Sequence, residues 1–311
     1  MVNLSDLLED MEEELRPEAD RVVEAERRAR TLIADLHRKE DAWMFEVVDE
    51  VPHGSHARDT AIVGFKDIDY LVVLNPTALN KLDGTERSAR DTVARLARMI
   101  RERRGGLVAQ GTIEVRSQEH SVGVKYPGTR LRVDLVPALR TQQHGCFLIP
   151  NRATDEWMET RPYLLKGRLT RAEGENAHVK KAIRLVKGWR RARGKAMQIP
   201  SYAVELLLSE WAGAHAGLSG LVRAFFDRLA TAHAGQRLAL LGEPDRSPIT
   251  VRDPWSGVNV ADELSADHRA RLIENARRAL EELDEAKSLA TEGRGRGALG
   301  VLRRLFKGNY D

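Results

Sequence analysis

The chain has 311 residues, 42% of them hydrophobic and 31% charged, with 50 Lys and Arg against 47 Asp and Glu. That composition excludes a disordered chain and allows one large or two modest domains, while a net charge of only +3 favours nucleotides over long polynucleotides as ligands and leaves room for a local cationic pocket. A lone cysteine, Cys146, excludes an internal disulfide and a thiolate zinc cluster.

The first residues, MVNLSDLLEDMEEEL, are acidic and amphipathic, which predicts neither a signal nor a transit peptide. No apolar run approaches the roughly 18–20 residues of a membrane span. No stable membrane insertion is expected, and the cytoplasm is the expected location. Residues from about 4 to 40 read as helix, with Leu4, Leu7, Leu8 and Met11, then Val22, Ala25, Ala29, Leu32, Ile33 and Leu36 at helical spacing. Pro17 divides the run. Phe45 to Val51 predicts a first strand and Asp67 to Leu74 a second, ended by Asn75-Pro76.

Glu86 to Arg104 predicts a helix stopped by Gly105-Gly106. Strands follow over Gly111–Arg116, Ser121–Tyr126 and Arg130–Val136. The last alternates, with Leu131, Val133 and Leu135 on one face and Arg130, Arg132, Asp134 and Val136 on the other. From about residue 155 the chain reads as helical. His178 to Arg193 carries an apolar face and a cationic stripe of Lys180, Arg184, Lys187 and Arg191. Such a stripe is either a solvated face or a phosphate clamp. A helix begins at Tyr202 with Ser201 as its N-cap, and another spans Leu218–Ala234. Residues Pro244–Trp255 read as loop, and 262–291 as a long helix. The tail, GRGRGALGVLRRLFKGNYD, reads as a mobile linker plus a short packed helix.

The chemistry concentrates in VPHGSHARDTAIVGFKDIDYLVVL, residues 51–74. Asp67 and Asp69, two apart on a strand, project side by side and repel unless a cation compensates them. Hard divalent cations take such oxygen ligands together with substrate phosphates. Gly54 and Ser55 form a turn where backbone N–H groups and a hydroxyl suit anionic oxygens. Separately, a Gly-Ser pair is an ordinary turn and an Asp-x-Asp a solvated pair. Asp134 alone reads as an edge-strand charge facing water. Beside Asp67 and Asp69 it is the third member of a carboxylate triad.

The spacing of Gly-Ser and Asp-x-Asp resembles the signature of the DNA polymerase beta-like nucleotidyltransferases. Several further stretches narrow the resemblance to one branch. GSHARDTAIVGFKDIDYLVVL, RLRVDLVPAL, CFLIPNRATDEW with TRPYL, IRLVKGWRR, PSYAVELLL and DPWSGVNVADEL follow one another in the family's order. They are similar to segments of the oligoadenylate synthase and cyclic GMP–AMP synthase branch. That branch includes the bacterial cGAS/DncV-like nucleotidyltransferases (CD-NTases). Asp59 departs from the family's glycine, which leaves the local loop conformation open. The missing cysteine cluster argues against sensing of double-stranded DNA.

The resemblance implies an α+β fold: a polymerase beta-like core of mixed sheet flanked by helices, over residues 1–160, packed on a helical bundle over 161–311. It implies a cleft closed by the helical part. It implies that Asp67, Asp69 and Asp134 bind two Mg²⁺ or Mn²⁺ ions and carry catalysis, with Asp134 acting on the attacking hydroxyl. Gly54 and Ser55 would hold the donor triphosphate, Lys187 and Ser201 would contact its phosphates, and Tyr202 would stack on a base. The implied reaction joins nucleoside triphosphates, ATP and a second base not given by the sequence, into a cyclic oligonucleotide second messenger for antiphage (CBASS-type) signalling. A regulatory protein encoded separately is an implied partner. The rival readings are an RNA 3′-end nucleotidyltransferase of CCA-adding or poly(A) type, a minimal enzyme that modifies a protein or small molecule, and a catalytically silent nucleotide-binding fold-mate.

Overall fold

A computed structural model describes residues 3–37, 46–75, 88–194, 199–231, 238–244 and 246–308. In chain order its elements begin with α1 (Leu4–Glu13), α2 (Ala19–Leu36), β1 (Val47–His53), α3 (Gly54–Ala57), β2 (Asp67–Leu74), α4 (Ala89–Arg103) and α5 (Gly105–Ala109). They continue with β3 (Glu114–Ser117), β4 (Val122–Tyr126), β5 (Leu131–Arg140), β6 (Phe147–Asn151), β7 (Glu156–Thr160), α6 (Pro162–Glu175) and α7 (Val179–Ala192). The last are α8 (Ser201–Glu210), α9 (Gly217–Ala230), β8 (Leu238–Leu241), β9 (Ile249–Val251), α10 (Ala266–Thr291) and α11 (Gly295–Lys307). Two compact units form: residues 17–166, and residues 1–16 with 167–311.

The unit of residues 17–166 is built on a mixed sheet in the order β1-β2-β5-β4-β3, with β6 paired to the far end of β5 and β7 to β6. β2 and β5 run parallel at its centre and the other pairs are antiparallel. Alternation assigns the faces. Ile68, Tyr70 and Val72 of β2 join Val133 and Leu135 of β5 in one core, with Ala25, Ala29 and Leu32 of α2 and Val93, Leu96 and Ile100 of α4. Leu71, Val73, Val51, Ala138 and Phe147 form a smaller cluster on the opposite face. The acidic residues of β2 and β5 have the parity of this second face, away from the helices that cover the first, and Asp134 among them is buried.

In the unit of residues 1–16 and 167–311, α7 is the central helix, packed by α1, α8, α9 and α11. Trp189 meets Phe226 edge-on at 4.9 Å and Phe225 at 6.2 Å between ring centroids. Gly188 is required by close approach, since a Cβ there would stand 2.8 Å from Leu15 and from the Phe306 carbonyl.

Several expectations change. The division at residue 160 puts α1 with the sheet, but α1 belongs to the helical unit, where Leu8, Met11 and Leu15 are fully buried and buried Glu12 pairs with Arg184. The tail is helical from Gly295. Ala298, Val301, Leu302, Leu305 and Phe306 recur at helical spacing and are buried, so the glycines and arginines do not make it a mobile linker. Gly105-Gly106 opens the short helix α5 instead of stopping the chain's helical run.

The hairpin β6–β7 replaces the helix expected from about 155. Its edge strand β7 is mostly exposed and carries no buried period-two pattern to read. Within Pro244–Trp255, Ile249–Val251 is a strand parallel to β8, held by buried Asn259, which accepts from the Val251 N–H and donates to the Ile249 carbonyl. The expected ends at Phe45, Pro76, Glu86 and Ala234 lie outside the described residues. No helix among the described residues is long and apolar enough to cross a membrane.

Candidate active site

The parallel register of β2 and β5 sets Asp69 beside Asp134, and Asp67 beside Arg132. With side chains of one parity on one face, Asp67, Asp69, Arg132 and Asp134 share a small patch of the sheet. β1 pairs antiparallel to β2 with His53 opposite Asp69, so the chain enters the Gly-Ser turn beside that carboxylate. Gly54 has φ +72°, and a Cβ on it would lie 1.9 Å from Asp69 Oδ2. Only glycine brings the backbone this close and accepts this φ. Gly54→Ala is therefore expected to lower product formation on the order of 100-fold, the usual scale for an ångström of misplacement, in a nucleotide-incorporation assay.

The turn is held from beneath. Thr60, fully buried, donates to the Ser55 carbonyl through its N–H at 2.9 Å and its hydroxyl at 3.3 Å. The Ser55 hydroxyl makes no hydrogen bond to another described residue, which leaves it available to a ligand. Asp59 has φ +54°, the left-handed region that glycine occupies without cost. This accounts for the departure at that position: Asp tolerates the conformation the turn demands. Asp59→Gly is expected to leave the fold intact and change stability by no more than about 1 kcal/mol, measured by urea unfolding.

Electrostatics mark the acids. Burial, then the neighbouring charges of Asp67 and Asp134, push the Asp69 carboxyl up to about 7, against the pull of Arg58 and Arg132. Burial also raises Asp134, opposed by Arg132. Arg132 is the cation of the patch: it donates to Asp67 Oδ2 at 2.9 Å and places Nε 2.9 Å from Asp134 Oδ1. Among the described residues no three His, Cys, Asp or Glu side chains are gathered into one ligating cluster. The donor set nonetheless suits hard divalent cations: carboxylate oxygens on one face, two of them with raised proton affinity that a bound cation would reverse.

The reading of residues alone overlooked three participants. Gln118 donates through Nε2 to Asp134 Oδ1 at 3.1 Å, and Ser121 donates its hydroxyl to Gln118 Oε1 at 3.1 Å. Gly123, opposite Asp134 on β4, lies beneath the Gln118 amide, and a Cβ there would come within 2.3 Å of Nε2. Arg132 was visible as a residue on the acidic face, but its bracing of two acids depends on strand register.

Lys187, Ser201 and Tyr202 lie in the helical unit. Lys187 is buried at 5% exposure and pairs at 2.5 Å with Glu205, itself fully buried. Lys180 pairs with Glu173 and Arg184 with Glu12, so these three cations of the stripe meet acids within their own unit. Ser201 is not an N-cap. Pro200 occupies that position, and the Ser201 hydroxyl accepts from Arg190 Nη1 at 3.1 Å. Arg190 itself has no carboxylate partner among the described residues, and burial lowers its pKa from the ordinary guanidinium value. The Tyr202 hydroxyl donates to Asp253 Oδ2 at 2.6 Å, tying α8 to the DPWSG loop.

Comparison with known proteins fixes the family. Residues 1–171 match the model of the Second Messenger Oligonucleotide or Dinucleotide Synthetase domain, SMODS. The chain belongs to the SMODS family. It is thus a nucleotidyltransferase of the CD-NTase kind that makes a second-messenger oligonucleotide. No curated protein matches it in sequence.

Solved structures share the fold. CdnC of E. coli MS115-1, in complex with HORMA-deltaN, is 19% identical with a TM-score of 0.76 over 99% of this chain and 98% of that one. The CD-NTase CdnG of Bradyrhizobium diazoefficiens, in complex with GTP, is 14% identical with a TM-score of 0.70 over 97% and 98%. DncV of Vibrio cholerae, GTP bound, is 16% identical with a TM-score of 0.62 over 84% and 68%. The expected α+β architecture of the SMODS nucleotidyltransferases is borne out.

Proposed function

We propose that this SMODS protein condenses nucleoside triphosphates, ATP among them, into a cyclic oligonucleotide that signals phage infection to an effector encoded elsewhere. The observation that carries the reading is the register of Asp69 with Asp134 on parallel strands, with Gly54 lying against Asp69. Asp67, Asp69 and Asp134 would hold two Mg²⁺ or Mn²⁺ ions. When bound, the ions supply charge neutralisation for the triphosphate and acidify the attacking ribose hydroxyl.

The remaining work belongs to the chain. Asp134 orients the attacking hydroxyl, while Arg132, which braces Asp67 and Asp134, would give up that hold where the acids serve as cation ligands. Gly54 and Ser55 present N–H and hydroxyl donors to the donor triphosphate, which loses pyrophosphate when the hydroxyl oxygen attacks the α-phosphorus. Lys187 would contact a phosphate only by giving up its buried pair with Glu205, while Ser201 with Arg190 offers direct donors to phosphate oxygens. Tyr202 stacks on a base, an interaction worth about 1–3 kcal/mol and tolerant of base identity. The protein acts in the cytoplasm, and a regulatory protein partner is proposed because CdnC was solved with HORMA-deltaN.

The test is incubation of the purified protein with labelled ATP, GTP, CTP and UTP and Mg²⁺ or Mn²⁺. Phosphatase-resistant products of low mass are expected. Labelled tRNA or labelled protein as the product, with no free oligonucleotide, would replace this reading with one of its rivals.

A further inference from the structure

Gln118 does no obvious work in the fold. It follows β3 at a tight turn, where its backbone N–H donates to the Ser121 carbonyl at 2.8 Å. The turn is anchored to the β6–β7 hairpin: Arg152 N–H donates to the Glu119 carbonyl at 2.8 Å, and His120 Nδ1 lies 2.8 Å from the Pro150 carbonyl. From this fixed base the Gln118 side chain crosses the bare backbone of Gly123 and reaches Asp134 Oδ1.

The amide can face only one way. An ionised carboxylate accepts and cannot donate, so the NH₂ end must point to Asp134, and the Ser121 hydroxyl donates to the remaining carbonyl end. Oδ1 of Asp134 thereby accepts from Gln118 Nε2, while the Nε of Arg132 stands 2.9 Å away as an ion pair whose N–H is not aimed at it. Oδ2 receives no hydrogen bond from a described residue.

We infer that Gln118 is a positioning residue that fixes the rotamer of Asp134, committing Oδ1 to the protein and presenting Oδ2 to the divalent cation. Ser121 sets the amide's orientation and Gly123 clears its path. This inference rests on the metal role proposed for Asp134. Partners that orient a ligating carboxylate typically matter by about 10–100-fold in metal affinity or activity. Arg132 alone does not replace Gln118, because its guanidinium is shared with Asp67 and is free to leave with it.

Two substitutions break the same bond from opposite ends. Gln118→Met keeps the length of the side chain and removes the donor. Gly123→Ala keeps Gln118 and pushes its amide away, its Cβ coming within 2.3 Å of Nε2, with a weaker push on Asp134 Oδ1 at 3.1 Å. Mn²⁺ binding to the full chain without nucleotide is read by electron paramagnetic resonance, and kcat and KM for nucleotide incorporation are measured alongside. Each variant is expected to weaken Mn²⁺ binding and lower kcat by about 10-fold or more, with nucleotide KM within about twofold of wild type. The double variant is expected to be no worse than the weaker single variant.

Wild-type Mn²⁺ affinity in Gln118→Met, or losses that multiply in the double variant, would overturn the inference. So would a fall in melting temperature with Mn²⁺ affinity unchanged, which marks a merely structural role. Asp134→Asn is the control. If it binds Mn²⁺ as wild type does, the metal role of Asp134 is what fails. If it loses Mn²⁺ while Gln118→Met keeps it, only the role of Gln118 fails.

Discussion

Asp69→Asn is expected to abolish product formation and, in metal-free protein at pH 8, to raise the melting temperature. The carboxyl is pushed up to about 7 by burial and by Asp67 and Asp134, against 3.8 for the ordinary group. The native state therefore holds its proton more tightly than the unfolded chain does. Stability falls as pH rises from about 4 to about 7, and above the native pKa the full cost of an ionised Asp69 is present. A shift of this size corresponds to a few kcal/mol at most. Asparagine keeps the shape and removes the charge. Melting curves in EDTA at pH 5 and pH 8 should show the advantage of Asp69→Asn widening with pH. Equal gaps at the two pH values would contradict the assignment. Mn²⁺ should stabilise wild type more at pH 8 than at pH 6, because protons compete for the same oxygens, and should do little for the variant.

Glu205→Ala is the second large effect. Lys187 and Glu205 are paired in the interior of the helical unit. Removing the carboxylate leaves a buried ammonium without its partner, which typically costs about 3–5 kcal/mol. The comparison with Lys187→Met/Glu205→Leu separates folding from chemistry. Replacing both charges with apolar groups should restore most of the stability, since desolvating an ion pair offsets much of its attraction. Urea unfolding reads that recovery. In the restored protein the nucleotide KM then reports on the pair without the loss of stability: a rise marks its contribution to phosphate binding, and a wild-type KM confines it to the core.

How far the site was legible follows from which interactions are local. Asp67 and Asp69 share a face because they are two apart on one strand, and the alternation of RLRVDLV sends Asp134 to the face opposite Val133. Both readings need only the pleat. That the two strands are parallel neighbours with Asp69 opposite Asp134 is a fact of register that periodicity does not give; the resemblance implied only that the three acids meet at one metal site. The turn at Asp59 shows the same division. Its identity departs from the pattern, but only the left-handed backbone explains why the position suits Gly and tolerates Asp.

What stayed hidden depends on pairings far apart in the chain. Gln118 and Asp134 are joined across one strand of sheet, and Arg132 and Asp67 across the parallel pair. Neither pair has a sequence spacing that signals contact. The cationic stripe of α7 was read correctly as a stripe, but its counter-charges come from Glu12, Glu173 and Glu205, each on a different helix. The same long-range pairing explains α1: its helix is plain from spacing, while its membership of the helical unit depends on a buried Glu12 that spacing does not distinguish from the acids beside it. The helix expected from about residue 155 gives way to β7 for another reason, since a short strand with an exposed edge leaves no hydrophobic period.

The central claim is that three carboxylates on one face of two parallel strands hold the cations of a nucleotidyltransferase. Crystals of the full chain grown with Mn²⁺ and a non-hydrolysable ATP analogue test it through anomalous scattering. The account predicts two manganese peaks bounded by Asp67, Asp69 and Asp134, with the triphosphate beside Gly54 and Ser55 and Arg132 withdrawn from Asp67. Manganese bound elsewhere, or a nucleotide seated while Arg132 still bridges Asp67 and Asp134, would contradict it.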